Sequence, residues 1–273
     1  MRAKLISLSE AIGEVGNGTR IALGGNTIHR GPSAAVHELI RQGKSDLELV
    51  KTAGAYDIDL LIGAGCASSV SAGFIGFETL YGMAPSYRRQ IERGVVQSKE
   101  HACYTVIAGL RAAIQGVPFM PIAGMFGSDL LDARGFKTIQ DPYSGDSVVA
   151  IPALIPDFAI IHVQEADFAG NARIVGTRFE DVLMAQAAKR VIVTAERIID
   201  GVSFEEHPEI VAIPGFMVEM VVEARNGAWP CSCAGEYDYD SAFLGEYVAA
   251  SKDEAKLHEF IHERILAREL SVV

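Results

Sequence analysis

Three groupings in the sequence have residue types and spacings that could do chemistry. His258-Glu259-Phe260-Ile261-His262 has the H-E-x-x-H spacing. On a helix this sets two imidazoles one turn apart, able to share a zinc ion with the glutamate as base. A catalytic zinc needs a third protein ligand, usually well downstream, and only eleven residues follow His262. We therefore read a solvated helix whose buried stripe is Leu257, Phe260, Ile261 and Ile265. Cys231-Ser232-Cys233 is too closely spaced for half of a zinc ribbon and has no second cysteine pair, so it reads as buried or idle thiols. The third grouping is Leu23-Gly24-Gly25-Asn26, at the end of an apolar strand and shortly before a helix. Glycines let backbone N–H groups point into a cleft, where they stabilise an oxyanion or bind phosphate. Asn26, Thr27 and His29 are then expected to line that cleft. The sequence contains no P-loop, no complete dinucleotide fingerprint and no G-x-S-x-G elbow, so no motif supplies a whole nucleophile–base set.

The elements that must hold these residues follow from hydrophobic period and caps. Ser7 with Glu10 is a capping box opening a helix to about Val15. A short strand over 20–23 stops at Gly24-Gly25, and Pro32 opens a helix with Val36, Leu39 and Ile40 on one face. Further strands are expected over 47–50, 70–75, 118–121, 148–151, 159–163, 190–195 and 218–223. Helices are expected over 58–62, 86–93, 100–115, 179–189, 240–250 and 253–268. Residues 122–147 read as a long loop with Gly124, Gly127 and Gly135. Apolar strands alternating with amphipathic helices imply βαβ units, hence an α/β fold with a mainly parallel open sheet and helices on both faces. No linker or internal repeat divides the chain, so residues 1–273 are read as a single domain.

With 273 residues and 49% hydrophobic content the chain buries a large core without staples, and it is not a disordered sequence. Its net charge of −11 argues against a nucleic-acid partner, which needs a basic face. No apolar run is long enough to cross a membrane. The first residues lack the apolar core of a signal peptide, and four cysteines do not form a disulfide framework. The expectation is a cytoplasmic protein with no metal site.

Asn17-Gly18-x-x-Ile21-Ala22-Leu23-Gly24-Gly25 followed by Pro32 resembles the N-terminal signature of class I coenzyme A transferases. The resemblance continues through Asp59-Leu60-Leu61-Ile62-Gly63-Ala64-Gly65, Phe74-Ile75-Gly76-Phe77-Glu78 and Ala84-Pro85-Ser86-Tyr87-Arg88-Arg89. Val117-Pro118-Phe119-Met120-Pro121, Val149-Ala150-Ile151-Pro152 and Ala166-Asp167-x-x-Gly170-Asn171-Ala172 carry it into the second half. Gly235-x-Tyr237-x-Tyr239-Asp240 takes it nearly to the end, and together these segments are similar to the A-type (alpha) subunit of the glutaconate branch.

The resemblance implies a heteromeric enzyme of A–B pairs, with its active site between an A-type and a B-type (beta) subunit. The substrate would be an acyl-CoA thioester, with no tightly bound cofactor needed. A glutamate of the B-type subunit would attack the thioester, splitting one acyl transfer into easier covalent steps. That glutamate stands in a Ser-Glu-Asn-Gly context absent here. This chain would complete the cleft with Gly24, Gly25, Asn26 and Thr27, with Gly76, Phe77 and Glu78, and with the loop from Gly124 to Gly127. The sequence departs from the family pattern at Asn26, where an aromatic is usual, and at Ile122-Ala123-Gly124, where relatives carry Thr-Arg-Ser. These departures open a second reading, an A-type subunit of an acyl-CoA hydrolase or decarboxylase on the same fold, with Glu100 as its base. A third reading is a non-catalytic acyl-CoA-binding protein that kept the fold.

Overall fold

Strands β1 (Arg20–Leu23), β2 (Leu47–Gly54), β3 (Ala67–Ile75) and β4 (Gln97–Glu100) lie side by side and parallel in the computed structural model, which describes residues 4–267. Strands β5 (Phe119–Ile122), β6 (Lys137–Gln140) and β7 (Ser147–Pro152) form a separate antiparallel sheet in the order β5-β7-β6. Strands β8 (Phe158–Asp167), β9 (Ala172–Arg173), β10 (Arg190–Ile199) and β11 (Met220–Glu223) return to the first sheet, whose order is β11-β10-β8-β1-β2-β3-β4, with β9 antiparallel on β8. The strand order runs outward from β1 in both directions. Open α/β sheets bind ligands at such a reversal, beyond the carboxyl ends of the strands.

Helices α1 (Leu8–Gly13), α2 (Ser33–Arg41), α3 (Tyr56–Gly63), α4 (Glu78–Tyr81) and α5 (Pro85–Glu92) belong to the first half. They are followed by α6 (Cys103–Ile114), α7 (Leu130–Ala133), α8 (Asp181–Ala187), α9 (Val202–Glu206), α10 (Ser241–Ser251) and α11 (Glu254–Ile261). The Ser7–Glu10 capping box is present at α1. Side chains alternate across the sheet with period two. Ile21 and Leu23 of β1, Leu49 of β2 and Ile160 of β8 enter one core with Leu39, Tyr56, Tyr247 and Phe260. Ala22, Val50, Ile161 and Val163 point the other way, into a second core with Val106, Leu110 and Met184. Helices therefore cover both faces, as the pattern of buried strands requires. Among the described residues no helix is long and apolar enough to cross a membrane.

Two expectations need correction. The segments 118–121 and 148–151 are strands, but they pair antiparallel in the second sheet rather than extending the parallel one. Their third partner, β6, lies in the expected long loop. All of β6 is exposed, so it shows no buried–exposed alternation to read. This sheet seats Ile122, Val149 and Ile151 with Phe136 against Ala108 of α6. The helix expected over 100–115 begins only at Cys103. Residues 97–100 are extended instead, pairing with Ser69–Ala72 of β3, and Lys99 reaches Glu48 at 2.9 Å.

Candidate active site

The chain leaves β1 at Leu23 and turns sharply at two glycines. A Cβ at Gly24 would collide with the Asp181 carboxylate, and one at Gly25 with the carbonyl of His29. Gly25 also has φ +71°, in the left-handed region that favours glycine. The glycines are thus required by close approach. Their amides, however, do not point into a cleft as free donors, which corrects that expectation. Gly24 N–H donates to Ile160 O and Gly25 N–H to Asp181 Oδ1, each at 2.9 Å. Asn26 and Thr27 donate through their backbone N–H groups to His29 O and Ala53 O, also at 2.9 Å. The turn is buried between two strands, where an unpaired amide costs as much as a lost hydrogen bond, so the fold pairs every one.

Two buried ion pairs clamp this turn. Lys51, in the middle of β2, pairs with Asp57 at the start of α3 and donates to Gly24 O at 2.8 Å. Arg30 pairs with Asp181 at the start of α8 at 2.7 Å and also donates to His162 O and Thr177 O. Each charge is compensated by hydrogen bonds beyond its partner, the condition under which a buried pair is tolerated.

Beyond the turn, the ends of β1 and β3 converge. Thr27 Oγ1 donates to Glu78 Oε1, and His29 Nε2 lies 3.7 Å from the same oxygen. His29 Nδ1 is 2.8 Å from Ser232 Oγ. Thr27 and Glu78 both hold left-handed backbones, with φ 44° and 56°, a strain that persists only where the surroundings impose it. Gly76 N–H donates to Gly54 O, bringing β3's end against β2's. Phe77 is fully buried against Tyr81 and Tyr247, a packing residue of the site's floor. Gly124 and Gly127 lie in the loop after β5, with open space around both positions and no hydrogen bond to Thr27, His29 or Glu78. The Asn26 side chain makes no hydrogen bond among the described residues.

Glu100 ends edge strand β4, exposed, and has no ion pair or side-chain hydrogen bond among the described residues. Its neighbour His101 is buried between Thr105 Oγ1 at 2.8 Å and Arg134 at 3.2 Å. Burial, aided by the Arg134 and Lys99 charges, pushes the His101 pKa down to about 4, so it is neutral near pH 7.

Sequence reasoning missed Ser232, Asp181, Arg30 and Lys51. A lysine inside the apolar run Leu47–Gly54 was a signal for a buried ion pair; Ser232 gave none, because its partner stands 203 residues away. A further buried group joins His162, Glu196 and Cys233, whose donor atoms lie within 4.8 Å of one another. Glu196 already accepts from His162 Nε2 at 2.8 Å, from the Asn226 and Gly227 amides and from Tyr237. Burial pushes the Cys233 thiol up to about 12, so it stays protonated. The arrangement is a satisfied hydrogen-bond network tying β8, β10 and the 226–237 segment together. His258, Glu259 and His262 are exposed and the stripe of Leu257, Phe260, Ile261 and Ile265 is buried, as expected.

The coenzyme A transferase family model matches residues 5–224. The chain belongs to the coenzyme A transferase family. The A-type subunit of glutaconate CoA-transferase from Acidaminococcus fermentans is 37% identical over 279 residues, covering 96% of this chain and 87% of that protein. The crystal structure of glutaconate coenzyme A-transferase from that organism matches with a TM-score of 0.94 at 35% identity, covering 98% of this chain and 90% of that one. A variant of the decarboxylase AibA/AibB matches at 0.89 and 34% identity, covering 97% of this chain and 99% of that one. An uncharacterized protein of Archaeoglobus fulgidus is 36% identical over 97% of this chain, which spans 60% of that protein's length. The transferase family's mainly parallel α/β sheet is therefore the fold of this chain.

Proposed function

We propose that this chain is the A-type half of a two-subunit CoA-transferase, which moves coenzyme A between an acyl-CoA and a carboxylate. The observation that carries this reading is the near full-length likeness to the A-type subunit of glutaconate CoA-transferase. The convergence of Thr27 and Glu78 at the carboxyl ends of β1 and β3 supports it. That convergence lies beside the strand-order reversal, the place where open α/β sheets generally bind ligands. In this reading the partner B-type subunit supplies the glutamate that attacks the thioester, and an acyl anhydride and then a glutamyl-CoA thioester follow. Gly24 and Gly25 shape the wall and Phe77 packs beneath it, while Asn26, Thr27 and Glu78 offer polar groups to the substrate. Gly76 leaves room for the Phe74 ring and the Gly82 carbonyl, which a Cβ there would crowd, and this reading assigns the loop holding Gly124 and Gly127 to the substrate side. The thioester itself is the activated group, so no bound cofactor is invoked. Four unpaired cysteines fit a reducing cytoplasm.

The test is co-expression with a B-type partner, incubation with acyl-CoA and a carboxylate acceptor, and intact mass spectrometry with borohydride trapping. A CoA-dependent, borohydride-sensitive adduct on the partner's glutamate, with CoA appearing on the acceptor, is expected. Release of free CoA without acceptor or adduct would replace transfer by hydrolysis. Glu100 would then be tested as base by Glu100→Gln.

A further inference from the structure

We propose that Ser232, His29 and Glu78 form a nucleophile–base–carboxylate row that takes an acyl group onto the Ser232 hydroxyl. The choice of a thioester as donor rests on the proposed function; the row itself rests on geometry alone. Ser232 Oγ stands 2.8 Å from His29 Nδ1, within reach of a base that accepts its proton. With Nδ1 accepting, the ring proton sits on Nε2, which faces Glu78 Oε1 at 3.7 Å. That spacing exceeds a direct hydrogen bond, so Glu78 faces the ring edge across a short gap.

The row is built rather than incidental. Ser232 is pinned on both sides of its peptide, its N–H donating to Ile28 O at 2.9 Å and its carbonyl accepting from Arg30 N–H at 2.7 Å. His29 is held in its turn by paired bonds with Asn26 at 2.9 and 2.8 Å. Glu78 is fixed by Thr27, and both residues sit on strained backbone. All three reacting side chains remain partly open to solvent, as a site that meets substrate requires. Asn26, on the same turn, has a side-chain amide without an internal partner among the described residues and is available to an oxyanion.

The step balances within these residues. Ser232 Oγ bonds to the carbonyl carbon as its proton passes to His29 Nδ1. The carbon–sulfur bond breaks, its electron pair leaves with sulfur, and the His29 proton completes the thiol. Water then attacks the acyl carbon while giving a proton to His29 Nδ1. The carbon–Oγ bond breaks, Oγ regains that proton, and the carboxylic acid departs.

The full chain, alone and with its partner, is treated with a fluorophosphonate and the peptide holding Ser232 is read by mass spectrometry. Phosphonylation of Ser232 is expected, slowed about 10²–10⁴-fold in His29→Gln by loss of the base. Glu78→Gln is expected to slow it less, and supplies the comparison if His29→Gln does not fold. No label on Ser232 in either state overturns the proposal, as does labelling that is equally fast in the folded variants. Label without CoA transfer would refute the proposed function and keep the row. Transfer without label would refute the row and keep the function.

Discussion

His101 offers the sharpest single-residue test, because it is a buried base beside two cations. Its pKa of about 4 lies below the ordinary 6.5, so between these values the unfolded chain binds more protons than the native one. Its contribution to stability is complete above pH 6.5 and is lost as pH falls through 4. At about 1.4 kcal/mol for each tenfold change in proton affinity, this amounts to about 3 kcal/mol. His101→Gln should therefore flatten the loss of denaturant midpoint between pH 6.5 and 4 relative to the native chain. An unchanged slope in the variant would show that His101 is not the group responsible. Gly25 is the second position where one residue decides the outcome. Gly25→Ala places a methyl against the His29 carbonyl at a φ of +71°, and we expect at least about 2 kcal/mol of destabilisation by urea titration. At this scale the sequence was a partial guide. Gly24 and Gly25 were visible as a strand-end turn because glycine has few other reasons to double there. The destination of their amides was invisible, because Asp181 arrives from far along the chain.

Among elements, β2 and α3 meet through Lys51 and Asp57, which are 0% and 1% exposed. Lys51→Met leaves a buried carboxylate unpaired, and we expect a loss of about 3–5 kcal/mol. Lys51→Met with Asp57→Leu should recover most of that stability while leaving Gly24 O without its donor. If the pair positions the turn, turnover of the reconstituted complex stays low in the double variant although its denaturant midpoint returns. Recovery of both would make the pair purely structural. The strands of the parallel sheet were legible because buried β-branched runs have a clear signature. Edge strand β4 was not: Gln97-Ser98-Lys99-Glu100 is polar throughout, and Glu100 beside a helical stretch resembles a first-turn acid. The charges belong there for a different reason, since an edge strand is protected by them from pairing with other chains.

The whole molecule leaves apolar side chains uncovered close to Glu78. Phe74, Leu80 and Met83 are 45%, 43% and 59% exposed around the 76–83 segment, and Gly76 bridges to Met83. If this patch is buried against a B-type partner, the chain should bind a hydrophobic dye when alone and lose most of that binding in the complex. Equal dye binding in both states would place the partner elsewhere. The family could be read from sequence because its motifs are spread along the chain. The Ser232–His29 contact could not, since nothing local marks two residues that meet only when the sheet is complete.

The position of β1 between β2 and β8 also sets an order in time. Strands β1 to β4 emerge first from synthesis, yet β1 keeps one open edge until residues 158–167 are made. The turn after β1 waits longer still, for Asp181 to reach Gly25 and Ser232 to reach His29, across 156 and 203 residues. Such distant pairing slows folding and leaves a bare strand edge open to other chains meanwhile. A nascent chain released before residue 158 would carry a sheet with half its centre exposed. Rapid elongation through the middle of the message, or a chaperone on that edge, should therefore govern the yield of native protein.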